Sequence, residues 1–271
     1  ELNMSSVYMY AFQAREAILD LLEEISGGRM FPSYWRIGGV ARDMPAHFEE
    51  SVRRFLREFP STWADLDGLL TENAVWCERL QGVAIVDEEL CKQYACTGPV
   101  LRGCGVAYDL RKESACLGYN KYQFNVPTKK EGDAYARYLV RMQEMKESLS
   151  IIEQVIELMP QGPIITENRK VALPPRSELV RSMEAVIHQF ILVSEGIHLP
   201  HGHIYESVES PRGELGVYLV SRGGNRPYRL HVRSPSFPHV QILSKVLPGH
   251  LLSSLVVAIG SMDPILGCVD R

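Results

Sequence analysis

Apolar positions recur along most of the chain at the three-and-four spacing of an α-helix. Ile18, Leu21, Leu22 and Ile25 fall on one face of Gln13–Ser26, and Gly27-Gly28 supplies the stop. After a loop rich in Gly and Pro at Phe31–Pro45, the run Phe48, Val52, Phe55, Leu56, Phe59 predicts an amphipathic helix over Pro45–Phe59. Further helices are expected at Trp63–Leu80 and, briefly, at Asp87–Tyr94. The clearest pattern lies in Asp133–Met159, where Tyr138, Met142, Met145, Leu149, Ile152, Ile156 and Met159 step by alternating fours and threes. That spacing draws a narrow apolar seam suited to bundle packing, ended by Pro160 and Gly162. Its methionines are read as bundle core, with a cofactor-binding stripe as the alternative. Ser177–Glu195 predicts one more helix, with Ser177 as N-cap and Gly196 as C-cap.

Elsewhere the helical period fails. Gly98, Pro99, Gly103, Gly105 and Gly118 interrupt Cys96–Pro127, which is expected to be loop with little regular structure. Leu215–Val220 and Tyr228–Arg233 alternate about a turn-rich stretch, the pattern of a β-hairpin. A last helix is expected at about Gly249–Ile259. The tail Gly260–Arg271 is irregular yet apolar, which predicts a segment tucked into the structure. The fold class is therefore mainly α with a small β part. A helical bundle occupies 1–197 with a loop-rich insertion at about 96–127. The hairpin, terminal helix and buried tail occupy 198–271.

Composition narrows the function. At 271 residues, 45% hydrophobic and 23% charged, the chain is long and apolar enough to bury a core. A net charge of −4 gives no footing for nucleic-acid binding through phosphates. The longest apolar run, Leu251–Ile259, is too short to cross a bilayer, and the first residues do not form a secretory signal. The six cysteines at 77, 91, 96, 104, 116 and 268 contain no C-x-x-C pair, so reduced structural thiols are expected rather than an iron–sulfur cluster. His198, His201 and His203 could put two imidazoles on one ion, but Pro200 and Gly202 make the segment read as a solvated loop, and no metal site is assigned. No phosphate-binding glycine motif and no nucleophile elbow occur. His188, among apolar neighbours, reads as a partly buried structural histidine. Arg36, Arg102, Arg212, Arg226 and Arg229 stand among glycines, prolines and aromatics. Structural ion pairing is the plain reading of this set, and tuning a redox centre or binding a partner is the other.

Taken together, several blocks resemble a known family. They include Gly28-Arg29-Met30, Gly38-Gly39-Val40, Thr97-Gly98 with Leu101-Arg102-Gly103, and Tyr108-Asp109-Leu110-Arg111-Lys112. Ser210-Pro211-Arg212-Gly213-Glu214, Gly216–Ser221, Arg226-Pro227-Tyr228-Arg229 and Val269-Asp270-Arg271 follow in family order. The chain resembles the C-terminal two-thirds of the hydrogenase-like large subunit of respiratory complex I, the 49 kDa subunit. The resemblance implies the helical bundle core of the nickel–iron hydrogenase large subunit. Nickel–iron enzymes hold their metals with two C-x-x-C pairs. Here Asp263-Pro264 is followed by Ile265, and Cys268 alone remains of the second pair, so a nickel–iron site is excluded on ligand count.

What the resemblance implies is a core peripheral-arm subunit of a proton-pumping NADH:quinone oxidoreductase. It would help to form the quinone-reduction chamber and hold no cofactor of its own. The substrate would be a quinone, and a 4Fe-4S cluster would lie in the adjacent subunit. Its partners would be the terminal-cluster subunit, the 30 kDa-type subunit and the membrane subunit at the quinone entrance. The family's N-terminal β-rich part, with its headgroup His and Tyr, is absent here, so a separate N-terminal fragment is a further expected partner. Chamber-lining residues carried over are Glu1, at the place of a family Asp, Tyr8 and Phe12 on the following helix, and Ile265, Asp270 and Arg271 in the tail. Two departures stand out. The family's G-A-L-T-P reads Asn3-Met4-Ser5-Ser6-Val7, and Phe31 occupies a position that often holds His. They motivate the alternative of a non-catalytic structural or assembly subunit. The expected location is the matrix side of the mitochondrial inner membrane, or the cytoplasmic face of a bacterial plasma membrane, with no transmembrane segment.

Overall fold

The computed structural model describes residues 5–114 and 116–270, the Cys116 side chain excepted. Glu1 and Arg271 thus lie outside the described residues. The first element, α1 (Ser5–Ser26), starts eight residues before the predicted Gln13 and buries none of its side chains fully. It lies against α2 (Phe48–Leu70). Between them the expected loop contains a small antiparallel pair, β1 (Trp35–Arg36) and β2 (Gly39–Val40), whose turn is bonded to Ile164 and Thr166 of a distant loop.

The chain does not break at Pro60, where two helices were expected. α2 runs through it, because Val52, Phe55, Phe59, Leu66 and Leu70 continue one buried face across the proline. Burial of that face outweighs the single backbone hydrogen bond that Pro60 cannot donate. The break falls at Asn73 instead. Its side chain accepts from the amides of Val75 and Trp76 and starts α3 (Ala74–Leu80). Asp87 caps α4 (Glu88–Gln93) in the same way.

The segment expected to be loop holds three short helical turns, α5 (Pro99–Arg102), α6 (Leu110–Glu113) and a 3-10 turn at Cys116–Lys121. Each is too short for periodicity to show it. Residues Val100, Leu101, Arg102 and Leu110 are buried, so this stretch belongs to the core.

α7 (Ala134–Glu157) is the central helix, capped by Asp133. Its buried residues are Ala134, Ala136, Arg137, Val140, Met142 and Ile151, and so do not follow the predicted narrow seam. The reason is its position: α2, α3 and α5 pack on it, as does α11 (Leu252–Met262), so more than one face is covered. Trp63 Nε1 donates to Met142 O at 2.9 Å, and Tyr135 OH donates to Thr71 O at 2.7 Å.

The predicted Ser177–Glu195 helix is two elements, α8 (Arg176–Leu179) and α9 (Met183–Ser194). Ser182, not Ser177, is the N-cap of the longer one. The expected hairpin is present and extended to a three-stranded antiparallel sheet in the order β3 (Gly202–Ser210), β4 (Gly213–Ser221), β5 (Arg229–Arg233). His203 lies in β3 rather than in a loop.

A helix that the pattern did not show, α10 (Ser236–Val246), precedes α11. Pro238 within its first turn masks the period. The core gathers Leu80–Leu101 residues with Ala134 of α7, Ile242, Leu243 and Val246 of α10, and Ala258 and Met262 of α11. The last fully buried residue of the described tail is Met262. Beyond it α12 (Leu266–Asp270) rests on α10, with Ile265 and Leu266 exposed, so the tail is not buried as its apolar composition predicts.

Candidate functional site

The Thr97-Gly98 step meets the Arg212-Gly213 step almost backbone to backbone. A Cβ on Gly98 would sit 2.4 Å from Arg212 O, and Gly98 has φ +71°, so only glycine fits. Thr97 Oγ1 accepts from the Glu214 amide at 2.9 Å. This contact fastens the β3–β4 turn to the start of α5 and brings Glu209 beside Arg102.

Arg102 is completely buried and ties three elements together. Its Nε donates to Glu144 of α7 at 2.6 Å, and its Nη1 donates to Glu209 at 2.9 Å and to Tyr108 O at 3.0 Å. Asp109 stands 3.8 Å away and is itself forked by Arg111, at 2.6–3.2 Å. Burial would raise the Asp109 carboxyl, but the hydrogen bonds and charge of Arg111 prevail and hold it below its ordinary value. For Glu144 and Glu209 burial prevails over Arg102, and both are pushed up. Behind this group Arg137, fully buried, donates to Ala84 O, Gly132 O and Ser261 Oγ at 2.8–3.2 Å. Burial, aided by Arg141, lowers its pKa to about 10.

These groups border a cleft of about 530 Å³ lined by Arg102, Arg111, Arg141, Glu144, Glu209 and Asp263, among others. Asp263 adopts a left-handed backbone (φ 51°) as the C-cap of α11, and Arg212 Nε donates to its carbonyl at 2.9 Å. Of the arginines noted in the sequence, Arg102 and Arg212 are in ion pairs, whereas Arg36, Arg226 and Arg229 are exposed. Pairing is thus the structural role of the first two.

Sequence periodicity missed Arg137, Arg141, Glu144 and Ser148, yet they share a signal. They step by four, three and four along α7, one residue before the apolar seam at 138, 142, 145 and 149. A polar stripe beside an apolar one marks a helix covered on both.

The expected chamber residues fall on two elements. Tyr8 and Phe12 lie on α1, their ring centroids 4.3 Å apart, with Arg15 5.2 Å from the Phe12 ring. Tyr8 is 56% exposed and Phe12 36%. Ile265 and Asp270 lie in the tail, where the Ile265 amide donates to Ser236 Oγ at 3.1 Å. Neither the cleft at Arg102 nor a second one beside Phe124 and Lys146 is lined by these four residues. Glu1 and Arg271 lie outside the described residues.

Among the described residues, the thiols of Cys91, Cys96 and Cys104 lie together in the core, apart from Cys268. Cys91 Sγ and Cys104 Sγ touch at 3.5 Å in the core, and Cys268 is exposed on α12. That arrangement does not fit a nickel–iron centre. Among the described residues no three His, Cys, Asp or Glu side chains are grouped to hold a metal ion. His198 and His203 are exposed, and His188 faces Glu184 at 3.7 Å.

Comparison with known proteins shows what this architecture belongs to. The family model for the respiratory-chain NADH dehydrogenase 49 Kd subunit matches residues 1–271. The chain is 62% identical over 271 residues to the D-type subunit of NADH-quinone oxidoreductase from Protochlamydia amoebophila, covering all of this chain and 67% of that protein. It is 48% identical over 274 residues to a D-type subunit of the same enzyme from a Roseiflexus species, covering all of this chain and 66% of the relative. The corresponding Wolbachia protein is 45% identical over 263 residues, which is 97% of this chain and 67% of that protein. The chain spans about two thirds of the length of these relatives. A match along the whole chain by the family model, with relatives of this identity, places it in the family of the 49 Kd subunit of respiratory-chain NADH dehydrogenase.

Proposed function

We propose that the chain works within an NADH-quinone oxidoreductase as part of the wall of the chamber where quinone is reduced. The observation that carries this reading is α1. Its 22 residues bury no side chain fully, and it presents Tyr8, Met9 and Phe12 outward with the two rings in contact. An apolar aromatic face of that kind suits a flat, apolar quinone ring, which gains by stacking and by leaving water. Glu1 and the tail residues Ile265, Asp270 and Arg271 would complete the lining, and a 4Fe-4S cluster in the adjacent subunit would supply electrons. The chain itself would position the quinone and exclude water. Its neighbours would be the cluster-bearing subunit, the 30 kDa-type subunit and a membrane subunit. Since the relatives named are bacterial, the cytoplasmic face of a bacterial plasma membrane is favoured over the mitochondrial matrix side. No helix among the described residues is long and apolar enough to cross a membrane.

The test is quinone reduction by the assembled complex carrying Tyr8→Ala or Phe12→Ala. A raised KM for quinone, with electron transfer from NADH to a water-soluble acceptor unchanged, supports the reading. A second reading, a structural subunit without a quinone contact, draws on α9. That helix exposes Val186, Ile187 and Phe190 as a docking face would. It predicts no change in KM from either α1 substitution and a loss of assembled complex from Phe190→Asp.

A further inference from the structure

In the Arg102 cleft and directly behind its walls the charges are equal in number but not evenly paired. Arg102, Arg111, Arg141 and Arg212 face Asp109, Glu144, Glu209 and Asp263. Arg102 holds two carboxylates, Arg111 holds Asp109, and Arg212 holds Asp263. Arg141 is left over. Its one hydrogen bond within the described residues runs from Nη1 to Arg137 O at 3.5 Å, at the limit of such a contact. No described carboxylate lies in ion-pair contact with it. Glu144, one turn along α7, is drawn off by Arg102 at 2.6 Å. Asp263 is turned toward Arg212 Nε at 3.3 Å.

The Arg141 guanidinium carries five donors in a fixed fork and is half-buried at the cleft, so it gives up part of its water without gaining a carboxylate partner. Burial indeed lowers the Arg141 pKa, with Asp263 and Glu144 too weakly engaged to reverse the shift. The cleft beside it is large enough for a side-chain terminus. Tyr119, also lining it, adds a hydroxyl group, whereas the Ser148 hydroxyl already donates to Glu144 O at 2.7 Å.

We infer that this cleft is a receptor for one carboxylate, held by the free fork of Arg141. A carboxylate suits it better than a phosphate. Its two oxygens match the guanidinium edge. Its single negative charge meets less opposition from Glu144, Glu209 and Asp263 than a dianion would. The carboxylate can come from an acidic side chain or C-terminus of a neighbouring subunit, or from a free small acid. The inference does not depend on the quinone reading.

Both sources can be tested on the assembled complex with phenylglyoxal, which modifies accessible arginines, read by peptide mass spectrometry. Three arms are run: the complex alone, the complex with acetate, and the complex stripped of neighbours by stepwise salt. Stripping is kept within the range where Arg102 stays unreacted. Slow modification of Arg141 in the complex, rising about tenfold on stripping, assigns the carboxylate to a neighbour. Ready modification slowed about tenfold by acetate at ten times its Kd assigns it to a free acid. Arg111, already forked to Asp109, serves as the comparator and should change in neither arm. A rate at Arg141 that neither acetate nor stripping alters overturns the inference, whether that rate is fast or slow. Failure of the Tyr8 and Phe12 substitutions would leave this result untouched.

Discussion

Arg102 Nε donates to Glu144 Oε1 at 2.6 Å while its Nη1 donates to Glu209 at 2.9 Å, so one buried cation serves two carboxylates that are 65 residues apart in sequence. The arrangement makes Arg102 harder to remove than either acid. Truncation as Arg102→Met leaves both carboxylates in the interior without a counter-charge, and should destabilise by about 3–5 kcal/mol. The loss should be read by chemical denaturation. Adding Glu144→Gln and Glu209→Gln to Arg102→Met should return part of it, because the uncompensated charges go with the cation.

His239 offers a pH test. It is completely buried, with Nε2 3.2 Å from Thr97 O, and burial lowers its pKa to about 4 from an ordinary 6.5. The folded state therefore holds it neutral where the unfolded chain would take up a proton. Its contribution is complete above pH 6.5 and is lost as pH falls from there toward 4, on the order of 3 kcal/mol in all. His239→Gln, which keeps a donor for Thr97 O, should flatten the stability profile in that window. An unchanged profile would mean that the imidazole is charged when folded.

Two glycines of similar φ separate crowding from conformation. Gly98 (φ +71°) has Arg212 O in the way of a Cβ, whereas Gly82 (φ +70°) has nothing within 4 Å. Gly82→Ala should cost about 1 kcal/mol from its backbone alone. Gly98→Ala should cost several times that and should loosen the β3–β4 turn, seen as faster hydrogen exchange at the Glu214 amide, whose acceptor is Thr97 Oγ1.

Thiol labelling of the native protein should sort the cysteines by depth. Contact with Cys104 lowers the Cys91 thiol, but contact with Cys96 and burial outweigh it and push Cys91 up to about 12; contact with Cys91 and burial push Cys104 up as well, so neither offers thiolate at neutral pH. Cys268, exposed on α12, should react first. Cys91 and Cys104 should react only in denaturant. Rapid labelling of either without denaturant would contradict the packing around Val86 and Val100.

Much of this molecule is legible in its pattern of residues. Helix starts at Asp87 and Asp133, the hairpin about 221–227 and the long helix α7 all rest on local signals that tertiary packing did not overrule. Misreadings arose where packing or shortness prevailed. The continuous apolar face of α2 carried the helix through Pro60. α5 and α6, four residues each, cannot display a period. The site was less legible than the fold. The motif around Arg102 and Asp109 marked a special place, but its acids Glu144 and Glu209 arrive from another helix and a strand. Only the folded chain brings them together.

Arg137 has a consequence in time rather than in space. One guanidinium bonds Ala84 O, Gly132 O and Ser261 Oγ, so groups separated by up to 177 positions close on it together. Before residue 261 leaves the ribosome, that cation has Ala84 O and Gly132 O but lacks Ser261 Oγ and the cover of α11. Helix α7 then has one of its packed faces uncovered. Synthesis of this chain should therefore be followed by a late, cooperative closure, and nascent chains cut short of α11 should remain sensitive to protease throughout α7.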